Sequence, residues 1–161
     1  MKQSAPDPAS EMPADVARLL GLDGDEGAAC RAKLETYVAT LVKWQRRINL
    51  IGPATVADIW HRHILDCGQL AALVPAEMAE TGAEGYDIIT ARALAPLPKL
   101  LEMSNNLLKT GGKLLFLKGK GADAELTESE KAWKMRVTKM PSASDSEGVI
   151  LLIEDLKKRH G

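Results

Sequence analysis

Aromatic side chains are scarce in this sequence of 161 residues: they make up 4% of it, and Phe116 is the single phenylalanine. Any core must therefore be mostly aliphatic. Cysteine is scarcer still. Cys30 and Cys67 stand alone, with neither a Cys-x-x-Cys pair nor zinc-ligand spacing, which excludes a disulfide framework and points to a reducing compartment. No apolar run approaches membrane-spanning length. Met1 and Lys2 are followed by Gln3, Ser4, Ala5, Pro6 and Asp7, where a signal peptide needs an apolar stretch. A cytoplasmic chain without a membrane partner is the expectation. Net charge is missing too: 21 Lys and Arg against 22 Asp and Glu leave −1, and a pI near 6.3 argues against a protein that coats nucleic acid generally.

What is present suits one compact domain. The hydrophobic fraction of 45% can supply a core, and 27% charged residues keep a surface wet. The near-neutral total conceals local bias. Residues 1–29 carry six acids against Lys2 and Arg18, residues 30–63 carry six bases against Glu35 and Asp58, and residues 113–139 carry seven bases against four acids. Either a basic face or an ordinary mixed, solvated surface accounts for this pattern.

Residues 1–13 are rich in Pro, Ala, Ser and Asp and read as a disordered lead-in; with a short helix over 14–20, stopped by Gly21, and a Gly/Asp-rich loop, they set off residues 1–27 as a flexible N-terminal segment. Apolar spacing predicts a helix over 28–48 (Leu34, Tyr37, Val38, Leu41, Val42, Ile48), with Arg46 and Arg47 in its last turn, where cations oppose the helix dipole. A second helix is predicted over 55–74, its stripe running through Val56, Ile59, Trp60, His63, Ile64, Cys67, Leu70, Ala71 and Val74. His63 on that stripe reads as a hydrogen-bonded core histidine with Asp66 as a candidate partner. Residues 28–75 thus form a helical region.

After Pro75 the pattern changes. A strand is predicted over 86–91, then a helix from Pro96 or Pro98 that carries Leu97, Leu100, Leu101, Leu107 and Leu108 to a stop at Gly111-Gly112. Further strands are predicted at 113–117, 136–138 and 149–153, with a charged helix over 123–134 that contains Trp133. This order makes residues 76–161 an α/β layer with some parallel pairing. No Ser-His-Asp, Cys-His or paired-carboxylate arrangement stands out, so no catalytic residue is assigned. His61 and His63, two apart on a helix, make a poor metal pair, and no metal is expected.

Five blocks then carry a resemblance. Trp44-Gln45-x-x-Ile48-Asn49-Leu50, Arg62-His63-Ile64-Leu65-Asp66, Ile89-Thr90-Ala91-Arg92-Ala93-Leu94-Ala95, Leu107-Leu108-x-x-Gly111-Gly112 and Leu117-Lys118-Gly119 occur in that order. Together they resemble the RsmG (GidB) family, which methylates N7 of one guanine in small-subunit ribosomal RNA with S-adenosylmethionine. The likeness covers roughly residues 30–155. It implies a Rossmann-like methyltransferase fold with an N-terminal helical region, S-adenosylmethionine as cofactor, and small-subunit ribosomal RNA as partner. It implies direct in-line transfer, in which positioning does the catalysis. Arg92 is implied as a cofactor contact, with Ala79 and Glu80 upstream of it; Arg46, Arg47, Arg62, Lys118 and Lys120 are candidate phosphate contacts or else solvated charges.

The chain also departs from the family. Leu73-Val74-Pro75 is followed within a dozen residues by Tyr86-Asp87-Ile88, whereas a single βαβ unit takes roughly 30 residues. The first strands, the glycine-rich turn that approaches the cofactor, and the acidic residue for its ribose have no room. An incomplete sheet is expected, with an exposed edge through which the chain self-associates. The alternative function is a non-catalytic remnant that binds RNA or protein.

Overall fold

The structure, a computed structural model, describes residues 11–74 and 85–159. The chain divides into two compact units that meet at Ala72 and Leu73. In the first, α1 (Ala14–Leu19) is followed by Gly21 at φ +67°, a backbone conformation natural to glycine, and α2 spans Ala28–Gln45. Residues 14–19, which the sequence groups with the lead-in, are part of the core: Val16 and Ala17 are buried together with Val38 and Val42 of α2.

The expected second helix does not keep a single pitch. It opens as a 3-10 turn (Pro53–Asp58), widens to a π-helical segment (Trp60–Leu65), and continues through a short α3 (Asp66–Gly68) to a last 3-10 turn, Ala71–Leu73. The widened turn changes which side chains share a face. Ile59 and Ile64 lie five apart, as do Trp60 and Leu65, and all four are buried. The i, i+3, i+4 stripe expected from sequence therefore breaks after Ile64: Cys67 and Ala71 are exposed, as is Val74, while Leu65 and Asp66 turn inward.

The second unit is a four-stranded mixed sheet in the order β1-β2-β4-β3, with β1 at Tyr86–Arg92, β2 at Leu108–Lys118, β3 at Trp133–Pro141 and β4 at Val149–Lys158. α4 (Leu97–Asn105) connects the parallel pair β1 and β2, and α5 (Ala122–Ser129) follows β2. β4 lies antiparallel between β2 and β3. This is an incomplete Rossmann-like α/β arrangement, as expected. Leu114 and Phe116 of β2 pack with Leu97, Leu100 and Leu101 of α4, with Leu126 of α5, and with Leu151 and Ile153 of β4.

Three boundaries differ from expectation. α2 ends at Gln45 rather than Ile48, because the Gln45 side chain takes over the backbone beyond it: Leu50 and Ile51 N–H donate to its Oε1 at 2.8 and 3.0 Å, and its Nε2 donates to Ile51 O at 2.8 Å. α4 stops at Asn105, and Leu107 and Leu108 leave it. Tyr86 N–H donates to Leu107 O at 2.8 Å and Leu108 enters β2, so sheet pairing wins over helical spacing. Trp133 starts β3 instead of closing α5, and its ring is buried in the sheet core.

Parallel β1 and β2 contrast sharply. Leu114, Leu115 and Phe116 are wholly buried, whereas Ile88, Ile89 and Ala91 of β1 are only half-buried. Among the described residues β1 pairs with β2 alone. A strand apolar on both faces is the mark of a central position in a parallel sheet, and here it stands at an edge.

Candidate functional site

In open α/β sheets the carboxyl ends of parallel strands are where ligands bind. In this chain β1 ends at Arg92 and β2 at Lys118, side by side: Arg92 is in register with Leu117. Arg92 is half-buried and already has a polar or ring partner within the fold. Ala93 follows it at φ +48°, a left-handed conformation that costs an alanine roughly 1–2 kcal/mol. Strain of that size turns the chain sharply off β1, leaving Leu94 exposed and bringing Ala95 back toward β2.

Lys118 holds that return. Its ammonium, on a side chain only 11% exposed, donates to Ala95 O at 3.1 Å and pairs with Glu125 at 2.7 Å. Glu125 in turn accepts the Leu97 N–H at 2.5 Å, at the first turn of α4. One carboxylate thus joins the end of β2 to the start of α4, and three polar groups are satisfied together. Lys120, two residues on, is exposed and pairs with Glu147 at 2.6 Å. Of the two lysines, Lys118 is bound inward and Lys120 faces water.

The remaining candidates lie in the first unit. Arg46 is exposed at the end of α2. The Arg47 guanidinium sits 5.7 Å from the centroid of the Trp44 ring. Arg62 is exposed and has a polar or ring partner within the fold. His63 is half-buried, its Nε2 2.7 Å from Thr55 Oγ1, so a hydrogen bond to the preceding turn fixes it in place. Asp66 is buried and accepts from Gln69. Ala79 and Glu80 lie outside the described residues. No cluster of three or more His, Cys, Asp or Glu suited to a metal occurs among the described residues.

Two groups went unanticipated. His61 has both ring nitrogens on carboxylates, Nδ1 at 2.8 Å from Asp58 and Nε2 at 2.8 Å from Asp15. The Asp15 hydrogen bond, opposed by partial desolvation and helped by Asp58, holds the imidazole pKa above its ordinary value. The Asp58 contact sits at helical spacing and could have been found; Asp15 is 46 residues away, and no local pattern announces it. Glu125 was hidden for the same reason, since its partners are on other elements.

The cavity of about 480 Å³ in the second unit is not at these strand ends. It is lined by Asn105, Leu108, Lys109, Gly112, Asp155 and Lys157, near the start of β2.

The profile of the family described as rRNA small subunit methyltransferase G matches this chain over residues 30–80 and 73–151. The chain is similar to Ribosomal RNA small subunit methyltransferase G of Paramagnetospirillum magneticum, 33% identical over 182 residues that take in 78% of this chain and 89% of the relative. The protein of the same name from Rhodospirillum rubrum is 33% identical over 182 residues, 78% of this chain and 90% of its own. That from Gluconobacter oxydans is 33% identical over 181 residues, with 78% and 94% covered. An alignment 182 positions long that uses 78% of 161 residues, about 126, leaves about 56 positions of the relative opposite no residue here. The two family matches overlap at 73–80, which locates the gap before β1.

Proposed function

The chain belongs to the rRNA small subunit methyltransferase G family, and from that premise we propose that it binds small-subunit ribosomal RNA and has the fold of its methyltransferase without a complete donor pocket. N7 of a guanine is the acceptor and S-adenosylmethionine the donor that the family resemblance supplies for methyl transfer. This reading puts the site of action in the cytoplasm; no helix among the described residues is long and apolar enough to cross a membrane.

The observation that carries the proposal is the gap before β1, taken with what remains at the strand ends. S-adenosylmethionine needs a close backbone approach at a glycine-rich turn and a carboxylate for its ribose hydroxyls. The carboxylate at these strand ends, Glu125, is already bound to Lys118 and the Leu97 N–H. The described residues do not fit the donor on their own. What they supply is basic side chains on each unit taken by itself. Arg92 and Lys120 belong to the second unit, and Arg46, Arg47 and Arg62 to the first; all are suited to phosphate contacts that position RNA.

A second reading, transfer by this chain itself, is favoured by the presence of Arg92 and of the strained turn at Ala93. A thermal melt with and without excess S-adenosylhomocysteine separates the two. A ligand that binds only the folded state at a hundred times its Kd adds roughly 2.7 kcal/mol of stability. No upward shift in a cooperative melt supports the first reading; a clear shift means that the donor site is rebuilt, and the first reading falls.

We also propose that the edge of β1 pairs with a second copy of the chain, because half-buried Ile88 and Ile89 lie on a strand that, among the described residues, pairs with β2 alone. Sedimentation velocity should show concentration-dependent association that Thr90→Lys abolishes. A monomer at all concentrations would rule this out.

A further inference from the structure

α2 presents aromatic rings to solvent in a protein that has few of them. Tyr37 is 54% exposed and Trp44 46%, whereas Trp60 and Trp133 are each 5% exposed. The two exposed rings are seven residues apart, two turns or about 10 Å along one side of the helix. Their surroundings carry one sign of charge: residues 36–57 contain Lys43, Arg46 and Arg47 and no acid at all. Glu35, just before, is taken up by the Met12 N–H at 3.1 Å. The end of the helix is held as well, since Gln45 binds Leu50 and Ile51 and the Trp44 carbonyl accepts from Arg47 and Ile48.

We propose that Trp44 is a stacking platform for an unpaired base of RNA, with Tyr37 as a second ring two turns away and Arg47 as the adjoining cation. This rests on the RNA-binding reading and adds to it a mode of recognition. An exposed indole offers a flat π-face that any base can cover, and stacking of this kind supports single-strand binding without demanding a particular sequence. The guanidinium of Arg47 lies over one face of that ring, 5.7 Å from its centroid, and adds a positive charge there, so a base would stack on the other face. A protein partner for the same face would need acids opposite three cations; a nucleic acid brings phosphates with it.

The distribution of tryptophans makes the test direct. Trp44 is the exposed one of three, so base stacking on it quenches emission that the buried Trp60 and Trp133 do not share. The full chain is titrated with short oligouridylate at low salt. Saturable quenching is expected, Trp44→Phe should bind while losing the signal, and Trp44→Ala should bind about 5- to 100-fold more weakly with an unchanged melt. RNA that binds without quenching, with Kd unchanged in Trp44→Ala, overturns stacking and leaves the RNA-binding reading intact. Absence of binding overturns both. Emission that changes with protein concentration alone assigns the face to a second copy and overturns the proposal.

Discussion

The two units of this chain are held together by different means. In the sheet unit, β2 and β4 bring Leu114, Leu115, Phe116, Leu151 and Ile153 to zero exposure, and continuous backbone ladders connect the strands. In the helical unit the elements other than α2 are short, pitch changes three times between Pro53 and Leu73, and the joints are made by side chains. Gln45 binds the turn after α2, Arg31 donates to Leu22 O at 2.7 Å, Glu35 accepts from Met12, and His61 ties the segment after Pro53 to α1. Apolar burial involves no titrating group, whereas charged ties respond to pH and are screened by salt. The sheet unit should respond to volume changes, and the helical unit to changes of donor, acceptor or charge.

The largest effect should come from Phe116→Ala. The side chain is fully buried between α4, α5 and β4, and truncation of such a ring costs about 3–5 kcal/mol. Native-state hydrogen exchange, which reads each unit separately, should show the loss in β2 and β4 amides. Equal loss in α2 would mean that the units are one cooperative block, which would break the comparison. Next comes Gln45→Ala. It removes four hydrogen bonds at once, to Asn49 Oδ1, Ile51 O and the Leu50 and Ile51 N–H groups, and a loss of about 1–2 kcal/mol confined to the helical unit is expected. A loss under about 0.5 kcal/mol would show that the turn stands without its side-chain tie.

A smaller effect sharpens the contrast from the apolar side. Trp60 is buried with its Nε1 donor unsatisfied among the described residues. An unmade buried hydrogen bond costs about 1–3 kcal/mol, so Trp60→Phe gives up ring volume but removes that cost. The net change in a denaturant melt should lie within about 1 kcal/mol. A loss of several kcal/mol would mean that the indole N–H is satisfied after all, and that this unit leans on volume as the sheet unit does.

The sequence reveals these two kinds of structure unequally. The leucine and isoleucine runs of β1, β2 and β4 declare strands because a buried strand is a contiguous apolar segment, and the βαβ order around α4 follows from proline and leucine spacing. Leu107 and Leu108 fit helical and strand periodicity equally; only the partner Tyr86, 21 and 22 residues back, decides. The stripe through Cys67 failed because nothing local announces a π-helical turn. At the strand ends, Arg92 and Lys118 are visible through family blocks, while Glu125 is not, since its function is defined by contacts across elements. Tertiary contacts, rather than local composition, supply what was illegible.

The smallest expected effect is also the most diagnostic, because it should separate the units by sign and place. His61, with both nitrogens on carboxylates, is favoured as the imidazolium, chiefly through Asp15. A group whose pKa is raised by folding contributes stability that is complete below its ordinary value near 6.5 and is lost as pH rises through the higher folded value. Asp15, its pKa lowered first of all by the His61 hydrogen bond, contributes above its ordinary value of 3.8 and loses that contribution as pH falls through the lower folded value. The tie is therefore strongest between the two ordinary values and weakens as pH rises through the raised value of His61. Asp15 and Asp58 are exposed on the surface, so solvent screening keeps the effect small and high salt should shrink it further. Hydrogen exchange of α1 and α2 amides, corrected for intrinsic rates, should show opening free energy falling from pH 6 to pH 8.5, flat in His61→Gln and flat in β2 and β4 of the native chain. A pH dependence that survives in His61→Gln would assign the tie to another group, and one shared equally by β2 would mean that the polar joints of the helical unit also support the sheet.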